Sequence, residues 1–212
     1  MKAQEVEKIA KKLQRSCNLL IDKIGTIRIG KKTQFPYGWR KANKGRTVWR
    51  IVEEIIVQNL EKHHNLFELD LAIPSESEIS VYDMTCMIDN IPLFINIKSA
   101  VDEQKQYRDD ISKAEGLINF FKEDIDRLLF IVTFHIRFND DMTIEITKAD
   151  VFPVNWIPDI YVNPSNNGNL QSSHYKNFKD SIKRTNEDFL RLLIEANEIA
   201  LQKKRMQSRL DG

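Results

Sequence analysis

Cysteine is nearly absent from this chain: Cys17 and Cys86 are the only two among 212 residues. They share no ligand-type spacing and neither lies beside a histidine in sequence, which argues against a zinc site and leaves two reduced thiols as the expectation. Long apolar runs are missing too, so no segment approaches the length needed to cross a bilayer. The opening M-K-A-Q-E-V-E-K has no apolar stretch of the secretory type. A cytoplasmic protein that makes no membrane contact is expected. No repeat and no linker-like segment interrupts the sequence, and 42% hydrophobic residues over this length suit one well-buried core, so residues 1–212 are read as a single domain.

Basic and acidic residues nearly cancel, 32 against 31, which argues against an overall positive coat. Locally the balance fails. Between Lys23 and Arg50 there is no Asp or Glu, while Lys23, Arg28, Lys31, Lys32, Arg40, Lys41, Lys44, Arg46 and Arg50 all fall inside. Phe35, Tyr37, Trp39 and Trp49 are interleaved with them. Cations mixed with rings suit phosphates together with sugars or bases; the plainer alternative is a solvated basic loop.

Periodicity supplies the elements. Val6, Ile9, Ala10, Leu13, Cys17, Leu20 and Ile24 step by three and four, which predicts an amphipathic helix over about 4–24. A second helix is expected from Thr47, burying Val48, Val52, Ile55 and Ile56 and closing at Asn65. Ile79 to Ile88 and Leu93 to Ser99 read as a hairpin about Asp89-Asn90. Ala100 to Lys122 reads as a helix through Ile111, Ala114, Leu117, Ile118 and Phe121. Leu128 to Phe138 and the stretch around Thr143 to Ile146 read as strands, the first covered on both faces. An irregular segment follows over about 152–175, then a helix over about 176–206 with Phe178, Ile182, Phe189, Leu192, Leu193, Ala196 and Ile199 on one stripe. The expected class is α/β, with a mixed central β-sheet flanked by helices.

The chemistry concentrates in S-V-Y-D-M-T-C-M-I-D-N-I-P-L-F-I-N-I-K-S. Residues two apart on a strand share a face, so Asn96 and Lys98 project together while Ile95 and Ile97 turn to the core. Asp83 lies on the neighbouring strand. An acid, a polar oxygen and an ammonium so grouped are able to hold a divalent cation and orient a water. Taken singly, Lys98 is as readily a solvent-facing strand end and Asp83 a turn cap.

Over about Arg46 to Phe138 this order, a helix with an acid, an Asp-bearing strand, a turn, and a strand with X-I-K followed by a helix, resembles the PD-(D/E)XK nucleases, and among them the type II restriction endonucleases. Tyr82 stands where that family has its proline, and Asn96 where it has Asp or Glu. The resemblance implies a restriction-endonuclease-like core over about 46–150 and Mg²⁺ held by Asp83, the Ile97 carbonyl and the Asn96 amide oxygen. It implies that Lys98 positions the attacking water. Glu53, at the edge of the apolar stripe beside Trp49 and Ile56, is the candidate for the missing acid; Glu54, on the face of Arg50 and Gln58, is read as solvated. The alternative for Asn96 is an inactivated position.

The resemblance also implies cleavage of double-stranded DNA at a short palindromic site by a homodimer, for which the terminal helices are the candidate contact. Carboxamides pair with adenine edges, so Asn163, Asn166, Asn167, Asn169 and Gln171 are read as a DNA-contacting loop, with Tyr175 and Lys176 at phosphates; an ordinary Asn-rich turn is the plainer account. His135 is expected to be a hydrogen-bonded core histidine. A non-catalytic DNA-binding protein and a protein-interaction module are the alternative functions.

Overall fold

The computed structural model describes residues 1–39, 44–77, 79–102, 108–165, 168–173 and 175–210, with 44–47 and 208–210 as backbone only. Thirteen principal elements follow one another among them: α1 (Ala3–Ile24), β1 (Thr26–Arg28), α2 (Lys44–His63), β2 (Leu71–Pro74), β3 (Met84–Ile88), β4 (Ile91–Val101), β5 (Asp109–Lys113), α3 (Ala114–Glu123), β6 (Leu128–Phe138), β7 (Thr143–Pro153), β8 (Tyr161–Asn163), β9 (Asn169–Ser172) and α4 (Asn186–Leu210). Six strands form a curled mixed sheet in the order β1-β7-β6-β4-β3-β2. Only β4 and β6 run parallel within it. Parallel neighbours need a crossover, and the chain between them carries β5 and α3. A second, antiparallel sheet has the order β5-β9-β8.

The expected α1 is present, and Val6, Ile9, Ala10, Leu13, Cys17 and Leu20 are all buried. That stripe packs on β7 of the same chain, where Gln14 donates to the Ala149 carbonyl at 2.8 Å and accepts from the Val151 N–H at 3.3 Å. Its apolar face is therefore committed within the chain rather than left for a second subunit. α2 buries Val52, Ile56 and Leu60 and yields to a 3₁₀ turn at His64–Phe67. The hairpin of β3 and β4 turns at Asp89 and Asn90, both with positive φ, as their small hydrogen-bonding side chains permit.

Four expectations give way. The hairpin's first strand starts at Met84 rather than Ile79, whose side chain is 89% exposed and has no face to bury. Ala100 to Lys122 is not one helix: β4 runs to Val101, β5 begins at Asp109 and only Ala114–Glu123 is helical. Ile111 fits the helical stripe of Leu117, Ile118 and Phe121 by spacing, yet it reaches the same core from β5. The irregular segment contains β8, β9 and a 3₁₀ turn at Val154–Trp156. The last helix starts at Asn186, not 176, because Tyr175 is buried and Phe178 packs its ring against Phe152 and Trp156, each 5.9 Å away.

α3 lies on the face of β4 that carries Phe94, whose ring meets Phe120 at 5.0 Å in an edge contact. Gly116 permits this close seat, since a Cβ there would stand 2.9 Å from Cγ1 of Val81. The approach presses α3 against the segment that leads into Asp83. Among the described residues no helix is long and apolar enough to cross a membrane.

Candidate active site

The β3–β4 ladder ends at the pair Met84 and Ile95, and Asp83 extends it by one further rung. Its N–H donates to the Ile95 carbonyl at 2.8 Å, and its carboxylate accepts from the Ile97 N–H at 2.6 Å. A residue's N–H and C=O leave a strand on the same edge, so the Ile97 carbonyl also lies on the Asp83 side. Tyr82, just before Asp83, turns its ring onto Phe94 at 4.8 Å.

Glu53 reaches this place from α2. A cleft of about 330 Å³ is lined by Arg50, Glu53, Glu76, Tyr82, Asp83 and Ile97, among others. Burial raises the Glu53 pKa from the ordinary 4.5 to about 7; the Asp83 charge adds to this, and Lys98 and Arg50 oppose it. Asp83 keeps one side open to solvent, yet crowding by protein around its carboxylate holds its pKa above the ordinary value, against the Ile97 N–H, Lys98 and Arg50. Desolvation pushes the Lys98 ammonium down, opposed by Asp83, Glu53, Asp110 and Asp109. Glu53, Asp83 and Lys98 thus form one electrostatic unit at the end of β3. Glu54 is exposed and accepts from Gln58 at 2.7 Å, and it lines the same cleft as Glu53 and Asp83.

Asn96 shares the Lys98 face but is buried, at 7% exposure. Its amide nitrogen donates to the Val81 carbonyl at 2.8 Å and to the Ile111 carbonyl at 3.5 Å. Its Oδ1 is buried with no hydrogen-bond partner among the described residues. Mg²⁺ is held in proteins by one or two carboxylates, with waters and substrate phosphates completing the shell. Asp83 and Glu53 supply the two carboxylates and the Ile97 carbonyl a neutral oxygen on the Asp83 side, all on one cleft, so these residues fit the group; the orphaned Asn96 Oδ1 is buried and does not line that cleft. Among the described residues no group of three or more His, Cys, Asp or Glu is placed to hold a metal ion, and a cation here would lean on neutral oxygens.

Asp109 and Asp110 escaped the sequence reading because 100–122 reads as a single helix; two adjacent acids just before the apolar stripe were the available signal. They are tied to the segment expected to contact DNA, and that corrects several of its assignments. Tyr175 is 2% exposed and its hydroxyl donates to Asp109 at 3.4 Å, while Lys176 is paired with the same carboxylate. Neither side chain faces outward to meet a phosphate, because Asp109 draws both inward. Gln171 donates to Asp110 at 2.7 Å, which engages the amide expected to read a base. Asn163 accepts from the Ser165 N–H at 2.9 Å, and Asn169 pairs with Lys113 and Asn163 in the small sheet. Asn166 and Asn167 lie outside the described residues.

In the basic stretch Lys31 and Lys32 are exposed. Trp39 is anchored instead: its indole N–H donates to the Asn139 carbonyl at 3.0 Å and its ring meets Phe138 edge-on at 4.8 Å. Arg40 and Lys41 lie outside the described residues, and Lys44 and Arg46 are described in backbone alone, within α2. His135 is hydrogen-bonded to Asp150 at 2.7 Å, with Asp102 3.6 Å from its other nitrogen. That arrangement supplies the partners expected of a core histidine.

Neither a protein-family model nor a curated protein matches the chain.

Proposed function

We propose that this chain is a Mg²⁺-dependent endonuclease with a restriction-endonuclease-like core, cutting double-stranded DNA at a short palindromic site as a homodimer in the cytoplasm. The observation that carries the reading is the convergence of Glu53 and Asp83, from a helix and a strand end, on one cleft, with Lys98 of the next strand within their electrostatic reach. Asp83 and Glu53, with the Ile97 carbonyl, are the residues that would hold the cation. A bound Mg²⁺ supplies charge neutralisation at the phosphate and a more acidic water.

The chain's own groups do the positioning. Lys98 lies in the field of its carboxylate neighbours and donates to the attacking water or a non-bridging phosphate oxygen. Glu53 supplies the second carboxylate beside Asp83 on the cleft, and the proton that the water loses passes to solvent. Water oxygen bonds to phosphorus as the bond from phosphorus to the 3′ oxygen breaks, leaving a 5′-phosphate and a 3′-hydroxyl. Lys31 and Lys32 are exposed cations suited to the DNA backbone.

The test is digestion of a long unmethylated DNA with Mg²⁺ by the purified protein and by Lys98→Ala. Discrete fragments that vanish in the variant are expected. Intact DNA with both proteins, alongside salt-sensitive binding, would replace the reading with that of a non-catalytic DNA-binding protein. The neutral Asn96, whose nitrogen is engaged by two carbonyls, is the observation that favours this second reading.

A further inference from the structure

Asn96 occupies a place that a carboxylate does not suit. Both acceptors of its amide nitrogen lie outside regular pairing. Val81 precedes the start of β3. Ile111 is the extra residue of a β-bulge, since the β5–β9 register passes from Asp110 opposite Gln171 to Ser112 opposite Leu170. A bulged residue has no rung of its own, and bulges re-aim neighbouring side chains. A carboxamide offers two N–H donors, whereas an ionised carboxylate offers none and would face two carbonyl oxygens.

We propose that Asn96 is a positioning residue, tying the β5 bulge and the Val81 segment to the strand that carries Lys98, and that the amide is the functional group required there. The tie has one end on each side of the site. On one side Val81 leads within two residues to Asp83 and is wedged against Gly116 of α3. On the other, Ile111 carries Asp110 and Asp109 to the neighbourhood of Lys98, so that the ammonium lies among Asp83, Glu53, Asp110 and Asp109. Those two β5 acids are held from behind by Gln171, Tyr175 and Lys176. The small sheet is thereby locked to the main sheet at the residue that neighbours the site. In its consequence for cleavage this inference rests on the nuclease reading; the tie itself does not.

The experiment compares Asn96→Asp and Asn96→Ala with the parent in three measurements: amide hydrogen exchange, melting with and without Mg²⁺, and DNA-cleavage kinetics. In both variants, amides of 109–113 and 169–172 are expected to exchange about tenfold faster or more, with β6 and β7 still protected, because the small sheet opens locally. kcat is expected to fall about tenfold or more with KM little changed, since ground-state DNA contacts remain. Mg²⁺ is expected to raise the Asn96→Asp melting temperature by no more than it raises the parent's. Unchanged exchange in both variants would overturn the proposal. So would a larger Mg²⁺ stabilisation of Asn96→Asp with faster cutting, the signature of a position that lacked its acid. Accelerated exchange in proteins that cut no DNA at all supports the tie and rejects the nuclease reading. Should Asn96→Asp not fold, Asn96→Ala gives the same exchange comparison without a buried charge.

Discussion

The carboxylate of Asp83 accepts the N–H of Ile97 at 2.6 Å, so that a side chain takes the place of the next β3 residue in the sheet. This gives Asp83 two separable duties. Asp83→Asn keeps an oxygen acceptor for the rung and loses the charge; its thermal midpoint is expected to match or exceed the parent's, while cleavage falls at least about a hundredfold. Asp83→Ala removes both and is expected to cost about 1–3 kcal/mol in addition, from the buried N–H left without a partner. Urea unfolding and cleavage assays on the two variants separate the duties; an Asp83→Asn protein with full activity would refute the cation-binding role.

Glu53 makes stability depend on pH in a stated direction. Its native pKa is about 7 against an ordinary 4.5, so the folded state holds the proton more tightly than the unfolded chain does. Stability from this group is greatest below pH 4.5 and declines as the pH rises toward 7, then levels off. Glu53→Gln removes the decline. Its melting temperature is expected to equal the parent's at pH 4 and exceed it at pH 8, and Mg²⁺, which competes with the proton for Glu53, is expected to stabilise the parent above pH 7 and the variant hardly at all.

Lys31 and Lys32 test the DNA contact without touching the cleft. Changing each to Ala is expected to weaken binding to any duplex alike and to reduce the slope of log affinity against log salt by about 1 per residue. Fluorescence anisotropy across a salt series reads this directly. Unchanged slopes would move the interface elsewhere.

Gly116→Ala tests the seat of α3. In an exposed helix this change stabilises by roughly 1 kcal/mol; here the new methyl meets Val81 at 2.9 Å. A lower melting temperature is expected, together with slower cleavage, because Val81 leads into Asp83. A stabilised and fully active variant would show that Val81 moves aside at no cost.

The two thiols are expected to be inert. Cys17 and Cys86 are buried, and burial pushes both upward, Cys86 to about 12. A thiol reagent at pH 8 is expected to find no reactive group in the native protein and two after denaturation.

Much of the site could be read before the fold was seen, because a strand's period of two and a hairpin turn signalled by Asp89-Asn90 are local properties. They bring Asp83, Asn96 and Lys98 together without further information. Glu53 followed from the edge of a helical stripe, which is local as well. What was hidden depends on contacts between distant segments. Ile111 has the spacing of the α3 stripe, and only tertiary packing separates a strand from a helix there; with it went Asp109 and Asp110. Tyr175 and Lys176 resemble surface residues in a polar sequence, yet an acid some sixty residues earlier draws both inward. The bulge that frees the Ile111 carbonyl leaves no mark in composition.

The packing of α1 on β7 also sets an order of events during synthesis. Residues 3–24 emerge from the ribosome well ahead of β7, and the strand that covers their apolar face ends at Pro153. At roughly 5–20 residues per second that face stays uncovered for on the order of ten seconds. During that interval Leu13, Cys17 and Leu20 present an amphipathic helix to whatever hydrophobic surface is nearby. The nascent chain is therefore at its stickiest before β7 arrives, and a chain cut short ahead of residue 143 would keep that helix permanently without its partner.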